Sequence, residues 1–206
     1  MNKKFAFTLA EIMIVIGIIG IISAMTVPTL VYNYQKKTDA LQLRKVITEI
    51  TAAADMYVTE EGKTKLKHTK IYESKANANN FIRNKFKVVK ECATDSTAQC
   101  FGSRYYSIDK SSSGAFNCGD VSFVLANSAA ICVNGVSNSS EYMRLYVDIN
   151  GQKGPNVGGR DMFMFFLSGD ANIVPKISGT SPTCVSSKFG NGCYELLIQN
   201  NWIMNY

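Results

Sequence analysis

The hydrophobic pattern is strongest at the start of the chain, where apolar residues run almost unbroken from Phe7 to Val27. This run holds 21 residues. A helix that rises about 1.5 Å per residue needs roughly 20 apolar residues to cross the hydrocarbon core of a bilayer. One charged residue, Glu11, interrupts the run. The pattern therefore predicts a membrane-spanning helix with an acidic side chain near one end.

A second pattern follows Pro28, where apolar residues recur at the spacing of one helix face: Leu43, Val46, Ile47, Ile50, Ala53, Ala54 and Tyr57. Polar residues lie between them, which is typical of an amphipathic helix. Gly62 suits the cap at a helix C-terminus, so we expect the helix to end near Glu61-Gly62. Together the two patterns predict one long helix from about Phe7 to Glu60, bent at Pro28.

Beyond Ala115 the pattern is typical of β-strands. The predicted strands are Phe116 to Leu125, Ala130 to Val133, Tyr142 to Ile149, Met162 to Leu167 and Asn172 to Ile177. Alternation in the third strand places Met143, Leu145, Val147 and Ile149 on one face. An antiparallel sheet would bury the apolar stripe of the helix. The predicted fold is therefore α+β, with a long N-terminal helix, half membrane-like and half amphipathic, packed on an antiparallel sheet with disulfide-stabilised loops.

The acidic residue inside the apolar run needs a cation. An unpaired ionisable group in a membrane helix costs a few kcal/mol, so such a residue usually has a function. We therefore treat Glu11 as a candidate functional residue. Lys3 or Lys4 could supply the cation. So could a new α-amino group made by cutting the chain between Ala6 and Phe7, because an amine with a pKa of about 8 is mostly protonated at neutral pH.

The order of a short basic leader, a small residue, Phe-Thr-Leu-x-Glu and a long apolar helix resembles the type IV prepilins. This group includes type IV pilins, minor pilins and the pseudopilins of type II secretion systems. The resemblance implies that a prepilin peptidase cleaves between Ala6 and Phe7 and methylates Phe7. It also implies that Glu11 neutralises the Phe7 amine of a neighbouring subunit and that Pro28 bends the assembly helix. Ala6 departs from the Gly that usually precedes the cut, although it keeps a small side chain.

The resemblance also implies the organisation and location of the protein. Residues 1–6 would be a leader peptide, 7–31 a transmembrane and assembly helix, and 32–206 an extracytoplasmic, pilin-like globular domain. The chain would cross the bacterial inner membrane once, and after assembly it would lie in a pilus or pseudopilus. The implied partners are the prepilin peptidase, like or related pilin subunits, and an inner-membrane assembly platform. Pilus, secretion pseudopilus and competence system remain open alternatives.

Two simpler interpretations of the N-terminus are a secretory signal peptide and an uncleaved membrane anchor. The apolar run is too long for a signal peptide, contains an acid, and has no clean Ala-x-Ala after it. An uncleaved anchor fits the length, but it does not require Glu11. The position of Phe-Thr-Leu-Ala-Glu relative to Pro28 favours the prepilin interpretation.

The chain has a net charge of +6, from 22 basic and 16 acidic residues, and much of the excess lies between Lys63 and Lys90. Such a segment could bind DNA, because Lys and Arg neutralise phosphates. The alternative function is therefore a membrane-anchored, competence-type pilin that binds DNA through residues 63–90. Acidic residues interleave with the lysines, which is typical of a solvated surface. We favour that second interpretation and do not expect nucleic acid as a partner.

All six cysteines lie beyond residue 90, in the part that would be exported, and none forms a Cys-x-x-Cys pair. An extracytoplasmic location favours disulfides. Six cysteines allow 15 pairings, and the spacing favours sequence neighbours: Cys92 with Cys100, Cys118 with Cys132, and Cys184 with Cys193. Free thiols or a structural zinc site are the alternatives, although zinc sites usually show paired short spacings.

One glycine-rich loop, between residues 148 and 161, offers oxygen ligands for a hard cation such as calcium: Asp148, Asn150, Asn156 and Asp161. The spacing of these residues does not match an EF-hand. The loop resembles one in some major pseudopilins, which carry a calcium-holding loop. The alternative is a tight turn in which Asp148, Asn150 and Asn156 bond to their own backbone.

The chain has no motif of a catalytic site. The sequence contains no Gly-x-Ser-x-Gly, no phosphate-binding Walker loop and no His-Glu-x-x-His. His68 is the single histidine, so it has no second histidine with which to form a metal site or catalytic pair. We therefore expect a structural protein, not an enzyme.

Overall fold

The computed structural model describes residues 8–137, 142–175 and 184–206. The chain forms two compact units: Met1–Thr38, here called the anchor unit, and Asp39–Tyr206, the head unit. Helix α1, Leu9–Glu60, contributes residues to both. Gly62 follows it with a positive φ of 61°, a conformation that glycine adopts without strain. The predicted end of the long helix is confirmed.

The head unit contains an antiparallel sheet that is six-stranded in the part of the chain described, with the order β1-β4-β5-β6-β7-β8. Its strands are β1 Val88–Cys92, β4 Ser122–Leu125, β5 Ala130–Ser137, β6 Tyr142–Asp148, β7 Met162–Ser168 and β8 Ile173–Val174. Strands β2 Tyr105–Tyr106 and β3 Ser113–Gly114 pair separately. Two further helices are α2 Lys75–Lys85 and α3 Cys193–Gln199.

The main core lies between the sheet and the second part of α1. The α1 side chains in it are those of the predicted apolar face: Ala40, Leu43, Val46, Ile47, Ile50, Ala53 and Ala54. Met143, Leu145 and Val147 on β6 are fully buried against the same core, with Ile149 just after the strand. The alternation predicted for this strand and the packing of helix on sheet are confirmed.

Three details of the sheet differ from the prediction. Strand β1 is not among the predicted strands, but it pairs with β4 and forms an edge of the sheet. The segment from Phe116 to Val121 is not a strand, because β4 begins at Ser122. Strand β8 ends at Val174, and the last two residues of the strand predicted over 172–177 lie outside the described residues.

The other face of the sheet is also covered, which the sequence did not predict. Loops between residues 93 and 120 and between 184 and 192 build a second apolar cluster over it. Phe116 is its centre: its ring lies 4.8 Å from that of Phe101, 5.0 Å from that of Tyr146 and 5.3 Å from that of Phe189, measured between centroids. Each aromatic pair at such a distance contributes about 0.5–1.5 kcal/mol of stabilisation beyond that from the burial of its surface.

Three disulfides join cysteines that are neighbours in the sequence, and all six cysteines lie among the described residues. The pairs are Cys92–Cys100, Cys118–Cys132 and Cys184–Cys193. The first two belong to the second apolar cluster, and the third closes the loop that precedes α3. The covalent links therefore fasten the loops that cover the sheet.

The loop closed by Cys184 and Cys193 crosses β7 at very short range. Gly190 has a φ of +70°, and a Cβ atom there would lie 2.1 Å from the carbonyl oxygen of Met162 and 2.8 Å from the Cα of Phe163. Both neighbours are backbone atoms, which cannot move aside. Only glycine fits this crossing.

Candidate functional site

Helix α1 begins with a reciprocal pair of hydrogen bonds between Thr8 and Glu11. The Glu11 backbone N–H donates to Thr8 Oγ1 at 3.2 Å. The Thr8 backbone N–H and hydroxyl both donate to Glu11 Oε2, each at 2.8 Å. This is a capping box, in which two backbone donors at a helix start, otherwise unsatisfied, find partners within the same chain.

The capping box gives Glu11 a role that the sequence reasoning missed. We predicted a cation for its carboxylate, but the described residues show hydrogen bonds to Thr8 and a position in the first turn of α1. The positive end of the helix dipole lies there and favours an anion. Thr8 itself was overlooked, although Thr-x-x-Glu before an apolar run is a signal that could have identified it.

The other predicted residues of this site fall in different places. Ala6 and Phe7 lie outside the described residues, so the cleavage between them and the amine of Phe7 stay predictions. Pro28 lies inside α1, where its nitrogen has no hydrogen to donate to the carbonyl of Ala24. Two residues earlier, the Thr26 hydroxyl donates to the Ile22 carbonyl at 3.0 Å.

The large apolar side chains between Leu9 and Val31 are exposed in the part of the chain that the structure describes. From Leu9 to Val31 the large apolar side chains are 45% to 81% exposed. Exposed apolar surface of this extent indicates contact with lipid or with other proteins. By length and composition α1 could cross a membrane.

The comparison with protein families decides between the interpretations of this region. The family model of the prokaryotic N-terminal methylation motif matches residues 1–27. The chain carries the type IV pilin and pseudopilin signature. No curated protein and no solved structure matches the chain.

The signature supports a pilin-like protein that is processed by prepilin peptidase. Proteins with this motif are structural subunits and not enzymes. An exposed apolar helix at the N-terminus fits the membrane anchor of a pilin-like protein. The methylation motif, a helix that could span a membrane and the disulfides therefore all agree with a pilin-like protein.

The predicted calcium loop of this pilin-like chain is held together by hydrogen bonds to its carboxylates. Asp148 is fully buried, and its two oxygens accept from the Tyr105 hydroxyl at 2.5 Å and from the Asn150 N–H at 3.0 Å. Asp161 is also fully buried, and its oxygens accept from the N–H groups of Asn156 at 2.6 Å and Val157 at 2.7 Å. Each of the four carboxylate oxygens thus accepts a bond from the chain itself.

The remaining oxygens of the loop belong to two amides. The side-chain oxygens of Asn150 and Asn156 are buried and have no hydrogen-bond partner in the described residues. No group of three or more His, Cys, Asp or Glu side chains within those residues could hold a metal ion. The bonding resembles the tight-turn alternative, and calcium binding stays a prediction that rests on the two amide oxygens.

Three carboxyl groups of the head unit are shifted toward protonation. Burial, with the charge of Asp161 as the second cause, raises the pKa of Asp148 well above its usual range. Burial also raises the pKa of Asp161 to about 6 and that of Asp39, on α1, to about 6. Ionisation of these groups therefore costs free energy in the folded head near neutral pH.

Three basic side chains between Lys63 and Lys90 pair with acidic residues of the same chain. Lys65 pairs with Asp170 at 2.8 Å. Arg83 makes two bonds to the carboxylate of Glu91, at 2.6 and 2.9 Å, and Lys85 pairs with Glu60. These pairs fit the solvated surface that we favoured, and they leave fewer cations for phosphate.

Proposed function

We propose that this chain is a structural subunit of a type IV pilus or of a type II secretion pseudopilus, assembled through its N-terminal helix. The observation that carries the proposal is the exposed apolar part of α1, which begins at the Thr8–Glu11 capping box within the methylation motif. Such a surface is unstable in water and needs lipid before assembly and neighbouring helices after it.

In this proposal the prepilin peptidase removes residues 1–6 and methylates Phe7. Residues 7–31 then cross the inner membrane once, and residues 32–206 form the extracytoplasmic globular domain. An inner-membrane assembly platform moves the subunit from the bilayer into the filament. Lys3 and Lys4 favour a cytoplasmic leader, whereas Lys36 and Lys37 at the far end weaken that preference.

The capping box supports a specific role for Glu11 in assembly. In the single subunit its carboxylate accepts hydrogen bonds from Thr8 of its own chain. In a filament the same carboxylate would lie near the Phe7 amine of a neighbour, and that charge pair would compensate for burial among apolar helices. Glu11 then has two partners, one after the other: Thr8 in the single subunit and the neighbouring amine in the filament.

Two substitutions separate these partners. Glu11→Gln keeps the acceptor that a capping box needs but removes the charge, whereas Thr8→Ala removes the cap and keeps the charge. We expect Glu11→Gln to abolish filaments and Thr8→Ala to reduce them only partly, as counted by electron microscopy of sheared cells. Normal filaments in Glu11→Gln cells would refute the charge pair.

Processing has its own test. Mass spectrometry of the membrane-extracted protein should find a mature chain that begins at Phe7 with one added methyl group. Cells that lack the prepilin peptidase should contain the chain with residues 1–6 intact. An intact Met1 in wild-type cells would overturn the proposal, because Ala6 would then not support cleavage.

The DNA-binding alternative has less support, since Lys65, Arg83 and Lys85 pair within the chain. It predicts binding of DNA that weakens steeply with salt. Neutralising lysines 63, 65, 67 and 70 would then reduce the salt slope. Absence of binding at low salt would discard it.

A further inference from the structure

Two aromatic and two cationic side chains follow directly after the apolar part of α1. They are Tyr32, Tyr34, Lys36 and Lys37. Tyr32 is 47% exposed and Tyr34 is 71% exposed. Helix geometry of 100° per residue places Tyr32 and Lys36 on one side of α1 and Tyr34 and Lys37 on the other. The four residues therefore surround the helix.

The Lys36 ammonium group lies over the ring of Tyr32, with Nζ 4.7 Å from the ring centroid. This cation–π contact holds the charge beside the phenol ring. Neither Lys36 nor Lys37 forms an ion pair within the described residues. Two ammonium groups are thus presented beside two phenol rings.

The position of these four residues at the end of the apolar run indicates that they lie at a membrane–water boundary. Tyrosine is enriched at membrane–water boundaries, because its ring lies in the apolar layer while its hydroxyl reaches water. Lysine side chains near the end of a membrane helix extend toward the headgroups. The apolar residues up to Val31 are exposed and continue into Tyr32. The ammonium groups therefore reach the phosphate layer if α1 spans the bilayer.

We propose that Tyr32, Tyr34, Lys36 and Lys37 form a collar that binds anionic phospholipid headgroups at one face of the membrane. The proposal rests on the membrane anchor of the proposed function, but not on cleavage or filament assembly. Anionic phospholipid would then hold the subunit in the membrane before assembly. Lys36 and Lys37 contribute the charge, and the two tyrosines fix the depth of the helix.

The collar acts at one end of the membrane segment only. The opposite end carries Glu11, which does not attract an anionic lipid. Lys3 and Lys4 lie in the leader and would be lost on cleavage at Ala6. In a chain that begins at Phe7, Lys36 and Lys37 are then the only basic side chains bordering the apolar run.

The experiment measures which lipids stay with the full-length chain. Wild-type protein is reconstituted into vesicles of phosphatidylethanolamine with a minor fraction of phosphatidylglycerol, and polymer-bounded discs are cut from them. Mass spectrometry then gives the ratio of the two lipids in discs that contain protein and in empty discs. A Lys36→Gln/Lys37→Gln variant removes both charges, and a Lys36→Arg/Lys37→Arg variant keeps them. Lys110→Gln/Lys153→Gln removes two exposed charges from loops of the head unit.

We expect phosphatidylglycerol to be enriched about threefold around the wild type, because cations near a membrane surface attract anionic lipid. The arginine variant and the loop variant should keep this enrichment, whereas the Lys36→Gln/Lys37→Gln variant should lose most of it. High salt should reduce the enrichment in every protein that shows it.

Equal enrichment in all four proteins, or none in the wild type, would overturn the collar. Either result would leave the pilin-like function standing, since the protein would still be recovered in discs. Failure of every protein to enter discs would instead overturn the membrane anchor, and the collar with it. Removing cations from the exported side agrees with the positive-inside rule, so the glutamine variant should insert normally.

Discussion

Ile18 and Ile50 belong to the same helix, but Ile18 is 53% exposed while Ile50 is fully buried. The first lies in the anchor unit, whose large apolar side chains from Leu9 to Val31 are exposed. The second lies in the head unit, where the same type of side chain packs between α1 and a sheet. One helix therefore supplies two surfaces with different requirements.

The comparison shows that the head unit buries its apolar face within the chain, whereas the anchor unit depends on its surroundings. Both faces of the sheet are covered, and disulfides fasten the covering loops. The stability of the head should therefore respond to changes in its own core. The anchor should respond to lipid and to neighbouring subunits.

The largest effect is expected where the head is packed most tightly. Gly190→Ala should destabilise the head by about 4 kcal/mol, because it combines a strained positive φ with a clash against the backbone of β7. Gly62→Ala is the matched control: it also has a positive φ, but nothing lies within 4 Å of a Cβ there. Chemical denaturation of the full chain in detergent measures both. Equal losses of stability in the two variants would show that the loss at Gly190 comes from backbone strain alone and not from the clash with β7.

The next effect tests the two halves of α1 directly. Ile50→Ala should lower the free energy of unfolding of the head by about 3 kcal/mol, since it leaves a cavity in the core. The same change at Ile18 should alter that free energy by less than about 0.5 kcal/mol. The denaturation midpoint followed by near-ultraviolet circular dichroism reports the head. A large loss from Ile18→Ala would mean that the membrane half also supports the head.

A smaller effect depends on pH. The pKa of Asp39 is raised to about 6 by burial, so its contribution to stability is full below about pH 4 and is lost as pH rises through about 6. Asp39→Asn removes the cost of the charge and should stabilise the head by about 1 kcal/mol at pH 8, with partial exposure limiting the gain.

The comparison between two pH values provides the control for that prediction. At about pH 3 the Asp39→Asn change should have little effect, because the side chain is then mostly protonated in both the folded and the unfolded chain. Asp95→Asn, at an exposed position in the first turn of the 3₁₀ helix Thr94–Gln99, is the control, and its effect should be the same at about pH 3 and at pH 8. A gain that does not depend on pH would attribute the effect to packing.

The smallest effect concerns calcium and the loop between Asp148 and Asp161. Since all four carboxylate oxygens accept hydrogen bonds from the chain, a cation must compete with those donors. We expect millimolar calcium to raise the Tm of chelator-treated protein by less than about 2 °C. A rise of more than about 5 °C, lost in Asn156→Ala, would show that the amide oxygens complete a true calcium site.

The sequence predicted those parts of the fold in which one periodicity dominates. The i, i+3, i+4 spacing located the helix face that includes Leu43 and Ile50, and alternation located the buried side of β6. Strand β1 was missed because Val88-Val89 is followed by Lys90 and Glu91, whose exposure is typical of a sheet edge but not of a core strand.

The chemistry of the candidate sites was harder to predict than their positions. Asp148 was assigned to a loop ligand set, but it is fully buried and accepts a hydrogen bond from Tyr105, a member of the second apolar cluster. No local pattern contains such a contact. Thr8 is the opposite case, since its capping signal is local and could have been recognised from the sequence.

The placement of the disulfides has a mechanical consequence. All six cysteines follow residue 90, so none of the links crosses to α1. Tension applied along α1 would be carried by noncovalent contacts between residues 40–54 and the sheet, while the crosslinked loops remain closed. In a filament under load, the contacts between helix and sheet would break first. The strength of those contacts would set the force that one subunit withstands.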